Sequence, residues 1–421
     1  MLRSIRWLYP GLGIKRWILV IFFGSLLSSA GAASLIFGLL TSEPEPRANA
    51  YSLAGLLFVL GALALFMGVY RLMKSIGGLL SKSSQHKDLL DIAYEQRALA
   101  HGPRVVVLGG GTGMSNLLTG LKEKTREITA IVSVADDGGS SGRLRREFDI
   151  APPGDIRKCL IALSEEAPLM GKLLGYRFNE SELEGHAFGN LFLTVLTRIT
   201  GDFGEAVREA NNILSVRGKV VPATLERVFL VATHVDGTKT TGQRLISEST
   251  NRIDRVELKP NPGRAARDIL EAIAEADLIV LGPGSLYTSV IPNLLLDGLP
   301  EAIRRSQAKA VYVCNVMTHE GETAGFSFKD HIDALEKHAN GQILDCVLAN
   351  SGRFPRKELK ELEAHGDAPV RYEPADYSSN GGEPPFKLVE VDLVDRGSIL
   401  RHDPHKLSSA LMDILAEASE T

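Results

Sequence analysis

The chain has 421 residues, with 47 lysines and arginines against 51 aspartates and glutamates, for a net charge of −4. That length exceeds one typical domain, and the mildly acidic balance argues against a nucleic-acid-binding surface. Cys159, Cys314 and Cys346 are widely spaced with no C-x-x-C pair, which argues against a disulfide framework or a zinc site and fits a reducing compartment.

Trp17–Leu40 runs for 24 residues without a charge, and Ser52–Tyr70 is a second uncharged apolar run. Each is long enough to cross a hydrocarbon core of roughly 30 Å as a helix. Arg3, Arg6, Lys15 and Arg16 precede the first run, and Arg71, Lys74, Lys82 and Lys87 follow the second. The loop between them carries Glu43 and Glu45. The positive-inside rule therefore puts both termini in the cytosol. Small residues over Ser28–Ala33 imitate a signal-peptide cleavage site, but the second run favours a hairpin. Gly61, Ala62 and Ala64 are expected to pack on Gly31, Ala32 and Ala33. The expected division is a multi-pass membrane hairpin over 1–73 (spans 17–40 and 52–72), a tether over 74–103 with a short helix at Lys87–Leu99, and a cytosolic domain over 104–421.

The stretch Val105–Asn116, V-V-V-L-G-G-G-T-G-M-S-N, opens that domain. Val105–Leu108 reads as a strand buried on both faces. Gly109, Gly110, Gly111 and Gly113, with Thr112 among them, strip the next turn of side chains. Leu117, Leu118 and Leu121 continue at helical spacing. A strand passing through glycines into a helix start leaves backbone N–H groups at the positive end of the helix dipole, a receptor for phosphate. A plain βα turn has the same pattern.

Ile128–Val134 is the second strand, followed by A-D-D-G-G-S-S-G-R-L-R-R over 135–146. Asp136 and Asp137 stand at the strand end, and Gly138, Gly139, Ser140 and Ser141 make a donor-rich turn. Loops at the carboxyl ends of adjacent strands share one crevice, so this loop and the glycine turn are expected to line one pocket. One carboxylate is expected to hold sugar hydroxyls or a hydrated Mg²⁺, the other to cap the turn or next helix. Arg143, Arg145 and Arg146 read as a solvated helix face.

Pro152-Pro153-Gly154-Asp155 reads as a turn into a helix over Ile156–Leu163, with Asp155 as its N-cap. G-H-A-F-G-N-L, residues 185–191, opens a helix through Ile199. His186 and Asn190, four apart, share a face and either contact a base or sugar or cap the helix start. Val228–Val235 and Arg252–Leu258 suggest a small antiparallel insertion. Leu278–Leu281 then runs through Gly282, Pro283, Gly284 and Ser285 into a helix start with Leu286, Tyr287, Thr288 and Ser289. Two strand–glycine–helix turns in one domain suggest a ligand with two phosphates, and Tyr287 offers it an aromatic face. Ala310–Cys314 and Ile343–Leu348 are further strands, whose ends place Asn315 and Asn350 at the crevice edge. His319, Glu320, Asp330 and His331 imitate metal ligands but fit no zinc spacing. Strands near Pro369–Tyr372 and Leu388–Leu393 complete a doubly wound, Rossmann-like α/β fold. Its sheet is mainly parallel, with helical and small antiparallel insertions.

A dehydrogenase fingerprint fails on spacing. G-x-G-x-x-G counted from Gly109 needs glycine where Met114 stands, and counted from Gly111 needs it where Asn116 stands, although the acidic pair lies near the expected ribose-binding acid. In chain order, G-G-G-T-G, A-D-D-G-G-S-S-G-R-L-R, P-P-G-D-I-R, G-H-A-F-G-N-L, G-P-G-S-L-Y-T-S-V-I-P-N-L and N-V-M-T-H-E-G-E-T resemble the YvcK family (also GlmR, or gluconeogenesis factor). That family is related to the CofD 2-phospho-L-lactate transferases. The resemblance runs from about Arg104 to the chain end.

The resemblance implies a regulator that binds UDP-N-acetylglucosamine, directs carbon to cell-wall precursors during gluconeogenic growth, supports cell shape, and contacts glucosamine-6-phosphate synthase. That reading names no certain cofactor, with Mg²⁺ an option, and a homo-oligomer is compatible with it. The ligand set it suggests is Gly110, Gly111, Thr112, Gly113, Asp136, Asp137, Gly138, Gly139, Ser140, Ser141, His186, Asn190, Gly282, Pro283, Gly284, Ser285, Leu286, Tyr287 and Asn315. The alternative it implies is a transferase with a GDP-type donor and Mg²⁺ on Asp136 or Asp137, although D-D-G-G-S-S-G-R resembles the regulatory branch. A membrane hairpin is not part of the usual family pattern, so the chain is expected to depart there, and His319 stands where Gln is frequent.

Overall fold

The uncharged runs form two long helices, α1 (Ile14–Leu40) and α2 (Ala48–Leu80). They belong to a computed structural model that describes residues 14–40, 48–80, 99, 102–165, 168–180, 182–260, 263–354, 359–360, 366–375, 377, 384–395 and 401–419. The chain divides into two compact units, Met1–Gln96 and Arg97–Thr421. In the first, Trp17–Phe37 and Ser52–Met73 are long and apolar enough to cross a membrane, with mean hydropathy 2.0 and 2.3.

Small residues let the two helices approach. A Cβ on Gly31 would lie 2.6 Å from Phe58 N, one on Gly24 would lie 2.8 Å from Leu65 N, and one on Gly61 would collide with Ser28. The register is thus Gly31 on Ala54–Phe58 and Gly24–Ser28 on Gly61–Leu65, not Gly31–Ala33 on Gly61–Ala64. In an antiparallel pair the later part of α1 must meet the earlier part of α2. α2 also runs past the expected span end to Leu80. Arg3, Arg6, Lys82, Lys87 and, except for Leu99, the helix expected over Lys87–Leu99 lie outside the described residues.

The second unit is wound about strands that are apolar on both faces. The strands β1 (Val105–Gly109), β2 (Ile128–Val132) and β3 (Lys219–Pro222) come first. The strands β4 (Phe229–His234), β5 (Lys239–Thr241) and β6 (Ile253–Lys259) form a separate antiparallel sheet in the order β5-β4-β6. Then follow β7 (Leu278–Leu281), β8 (Lys309–Val313), β9 (Cys346–Asn350) and β10 (Lys387–Val391). The main sheet is parallel with order β10-β9-β8-β7-β1-β2-β3. Its strands alternate their side chains between two cores. Val106 and Leu108 enter one with Ile279 and Leu281, while Val105 and Val107 enter the other with Leu278 and Val280.

The helices that matter for the site follow strands β1, β2 and β7. They are α3 (Gly111–Leu121), α4 (Gly139–Phe148), α5 (Gly154–Leu163), and a π-helical turn, Leu286–Val290. Between β2 and β3 also lie α6 (Pro168–Gly175), α7 (Phe188–Thr200) and α8 (Phe203–Ile213). The insertion carries α9 (Gln243–Ser247). β3 had no expectation because K-V-V-P is too short to show a period. The strand expected near Pro369–Tyr372 is a single bridge between Met317 and Pro369.

Candidate functional site

β1 has β2 on one side and β7 on the other, and the winding reverses there, so β1 and β7 flank the topological switch point. The two glycine turns therefore sit edge to edge at the carboxyl ends of neighbouring strands. A Cβ on Gly113 would lie 2.8 Å from Pro283 O and 3.2 Å from Gly284 N, and one on Gly284 would lie 3.3 Å from Gly110 O. α3 begins with Gly110 extended and Gly111 at φ +67, and no side chain among the described residues caps it. Its first N–H groups are left for water or a ligand.

A cleft of about 610 Å³ opens over these turns. It gathers Gly110, Gly111, Thr112, Gly113, Asp136, Pro283, Gly284, Ser285 and Asn315 from the sequence reading, and it adds Asn116, Asp155, Lys158, Gln243, Ser289, His319, Asp367, Arg401 and His402. A second cleft of about 640 Å³ lies at the opposite, amino-terminal edge, between Arg104, Arg126, Arg217 and Lys219. Size does not separate them, but position does: ligands of open α/β sheets bind beyond the carboxyl ends of the strands. At the amino-terminal edge, Arg126 and Arg217 are already paired on Glu165.

The floor of the cleft is acidic. Asp136 is half-buried, and its Oδ1 accepts the Gly138 N–H at 3.0 Å. Burial, and then the charge of Asp155, raise the Asp136 carboxyl above its ordinary range. Asp155 is not the expected helix cap. It lies inside the first turn of α5, buried, with Lys158 Nζ 2.9 Å from its Oδ1. Gly154 is required here, since a Cβ would collide with Ser141 Oγ and lie 2.9 Å from Asp136 Oδ2.

Asp137 turns away from the cleft. Its Oδ1 accepts the Arg244 N–H at 2.9 Å and so caps the distant α9, rather than the turn or the next helix as expected for one of the pair. Gly138 and Gly139 are outside the lining, and Ser141 hydrogen-bonds Asp136 from behind. Ser140, His186 and Asn190 form a buried triangle that supports the loop. Ser140 Oγ lies 3.0 Å from His186 Nδ1 and accepts from Asn190 Nδ2 at 3.0 Å. Burial, with Arg143 nearby, lowers the His186 imidazole.

The second turn differs from its sequence reading. Leu286 and Tyr287 are buried, and the Tyr287 ring makes edge contacts with Phe326 and His338. Glu322, unremarked in the T-H-E-G-E-T loop, accepts from Tyr287 N at 3.2 Å and from the hydroxyls of Thr288 and Ser247 at 2.7 Å. The positive end of this turn thus already holds a carboxylate. Gly282 is buried beneath it. Asn350 is also structural, bonded to Gly352 and Leu393 N.

Arg145 is buried rather than solvated; it donates to Val228 O and stacks on Phe229. Asp330 completes a capping box with Ser327, and His331 bonds Ser327 O. His402 Nε2 bonds Cys314 O at 3.1 Å, and burial pushes its imidazole down to about 4. Asn116 and Lys158 stand three residues after Gly113 and Asp155, in helical register with them. Asp367, Arg401 and His402 arrive from the tail, which has no local pattern.

Fold and cleft define a doubly wound α/β protein with a glycine-lined crevice at its switch point. The chain belongs to the CofD-like gluconeogenesis factor family. The family model described as 2-phospho-L-lactate transferase CofD matches residues 105–388. The gluconeogenesis factor of Bacillus subtilis (strain 168) is 45% identical over 317 residues, 75% of this chain and 99% of that protein. A relative from Nostoc sp. (strain PCC 7120 / SAG 25.82 / UTEX 2576), also named as a gluconeogenesis factor, is 42% identical over 422 residues, 97% of this chain and 91% of its own length. The crystal structure of a UPF0052-family protein from Bacillus halodurans superposes with a TM-score of 0.70 at 44% identity, covering 74% of this chain and 99% of that one. The Nostoc alignment omits too few residues to miss the N-terminal unit. That unit is shared with a relative rather than peculiar to this chain.

Proposed function

We propose that the cleft binds a nucleotide-sugar diphosphate, UDP-N-acetylglucosamine, and that the protein is a regulator of carbon flux toward cell-wall precursors, and so of cell shape, in gluconeogenic growth. The N-terminal hairpin would hold it at the cytosolic face of the cytoplasmic membrane. One observation carries the reading: the uncapped start of α3 lies beside Pro283–Ser285 at the switch point, with Lys158 and Arg401 in the same cleft. With Glu322 on the second helix start, the first turn is the main anion receptor and the second contributes backbone and the Ser285 and Ser289 hydroxyls. Glucosamine-6-phosphate synthase is the partner the resemblance implies.

A second reading, a Mg²⁺-dependent 2-phospho-L-lactate transferase, is favoured by the paired Asp136 and Asp155 and by the description of the matching family model. Two carboxylates with room for water and phosphate oxygens suit Mg²⁺, so those residues, not Asp137, would hold it. Bound there, the ion would neutralise charge on a diphosphate.

Calorimetric titration of the purified chain with UDP-N-acetylglucosamine, UDP, GDP and NAD, with and without Mg²⁺, tests both. The first reading expects the uridine sugar to bind most tightly without turnover. Preference for GDP, or phospholactyl transfer with Mg²⁺, overturns it.

A further inference from the structure

The cleft has two unlike arms. Its glycine turns end β1 and β7, and the sheet order puts β2 on one side of that pair and β8 on the other. On the β2 side the lining is Asp136, Asp155, Lys158 and Gln243, all polar. On the β8 side it includes Asn315, Thr318 and the buried Val316 and Met317. Apart from Pro283 in the turn itself, those two are the apolar side chains among the described residues of the lining.

Gln243 comes from outside the main sheet, on a helix whose backbone is pinned. Asp137 Oδ1 accepts the Arg244 N–H at 2.9 Å, Gly242 N donates to Leu230 O at 2.8 Å, and Ser247 Oγ donates to Glu322 Oε1 at 2.7 Å. Gly242, at φ +101, has no room for a Cβ, which would collide with Asp137 Oδ2. The five residues of α9 are thus fixed both to the loop after β2 and to the loop after β8. The Gln243 side chain is half-buried in the cleft and makes no hydrogen bond to a described residue. A carboxamide offers two donors and an acceptor, and on a fixed backbone those groups meet a ligand in one orientation.

We infer that Gln243 is a specificity-determining residue that binds the glycosyl end of the ligand beside Asp136, with the uracil end on the β8 side. The inference rests on the nucleotide-sugar reading above. A pyranose carries hydroxyl or acetamido groups around its whole rim, and each one buried without a hydrogen bond is costly, so the ring belongs in the all-polar arm. Uracil has two bare faces and an amide-like edge, which Val316, Met317 and the Asn315 carboxamide match.

Calorimetric titration of the full chain in lipid nanodiscs, with UDP-N-acetylglucosamine and separately with UDP, gives each variant two affinities. Gln243→Ala is expected to weaken the sugar nucleotide about fivefold to tenfold, as for one or two ordinary hydrogen bonds, and to change UDP by less than about twofold. Asn315→Ala is expected to weaken both ligands by the same factor. The urea midpoint of Gln243→Ala is expected to match that of the unaltered chain, since no protein hydrogen bond is lost. Weakening of both ligands alike by Gln243→Ala, weakening of UDP alone, or no change in either overturns the inference. Should the unaltered chain bind neither ligand, the nucleotide-sugar reading itself fails and the inference falls with it, a result distinct from the other three.

Discussion

Gly113→Ala puts the interlocked turns to a test in which two effects have opposite sign. Gly113 is inside α3, and in an ordinary exposed helix the change would stabilise by about 1 kcal/mol. Here the new Cβ would sit 2.8 Å from Pro283 O and 3.0 Å from Pro283 C, both backbone atoms with no rotamer to yield. Overpacking of that kind costs about 1–3 kcal/mol, so a net loss of stability is expected. Gly111→Ala is the matched control. Its φ of +67 imposes about 1 kcal/mol of strain, but its nearest neighbours, Ser289 Oγ and Asp155 Oδ2, are at 3.8 and 4.0 Å, so nothing collides. Urea unfolding gives the stabilities, and titration with UDP-N-acetylglucosamine is expected to show a drop of tenfold or more, ~1.4 kcal/mol, for Gly113→Ala. A raised urea midpoint with unchanged affinity for Gly113→Ala would refute the reasoning.

Tyr287→Ala is expected to cost about 3–5 kcal/mol of stability, as for a buried aromatic, with affinity retained in the folded fraction; selective loss of affinity at full stability would return the ring to the site. Glu322→Gln keeps the shape but weakens the bonds to Tyr287 N, Thr288 and Ser247, and a loss of about 2 kcal/mol is expected in chemical unfolding. His402 is held neutral by burial, down to about 4 from an ordinary 6.5. Its contribution is full above pH 6.5 and is lost as pH falls toward 4, when the folded state resists a proton that the unfolded state accepts. About 3 kcal/mol of acid sensitivity should therefore flatten in His402→Asn, read from unfolding midpoints across that window.

Local pattern carried the sequence reading where the chemistry is local. Val105–Leu108 and Leu278–Leu281 are apolar runs ending in glycine, so strand, turn and helix start were all legible from a dozen residues each. Side-chain direction was not. Asp136 and Asp137 are equivalent in sequence, and only the position of Arg244 N, more than a hundred residues on, decides which one caps and which one faces the cleft. Tyr287 follows the same logic: the register of a π-helical turn and the packing of Phe326 send its ring inward. Arg401 and His402 depend on a tail that returns to β8 through Cys314 O, a contact that no spacing rule contains.

The adjacency of Asp136 and Asp137 has a mechanical side. One carboxylate lies on the floor of the cleft and the next is pinned to the first turn of α9, with Gly242 kept bare so that it fits. The peptide between them is a flat, stiff plate. Through it the cleft floor is joined to the first turn of α9, in the segment that carries the small antiparallel sheet. A single peptide and one hydrogen bond thus link the cleft floor to that outlying part of the domain.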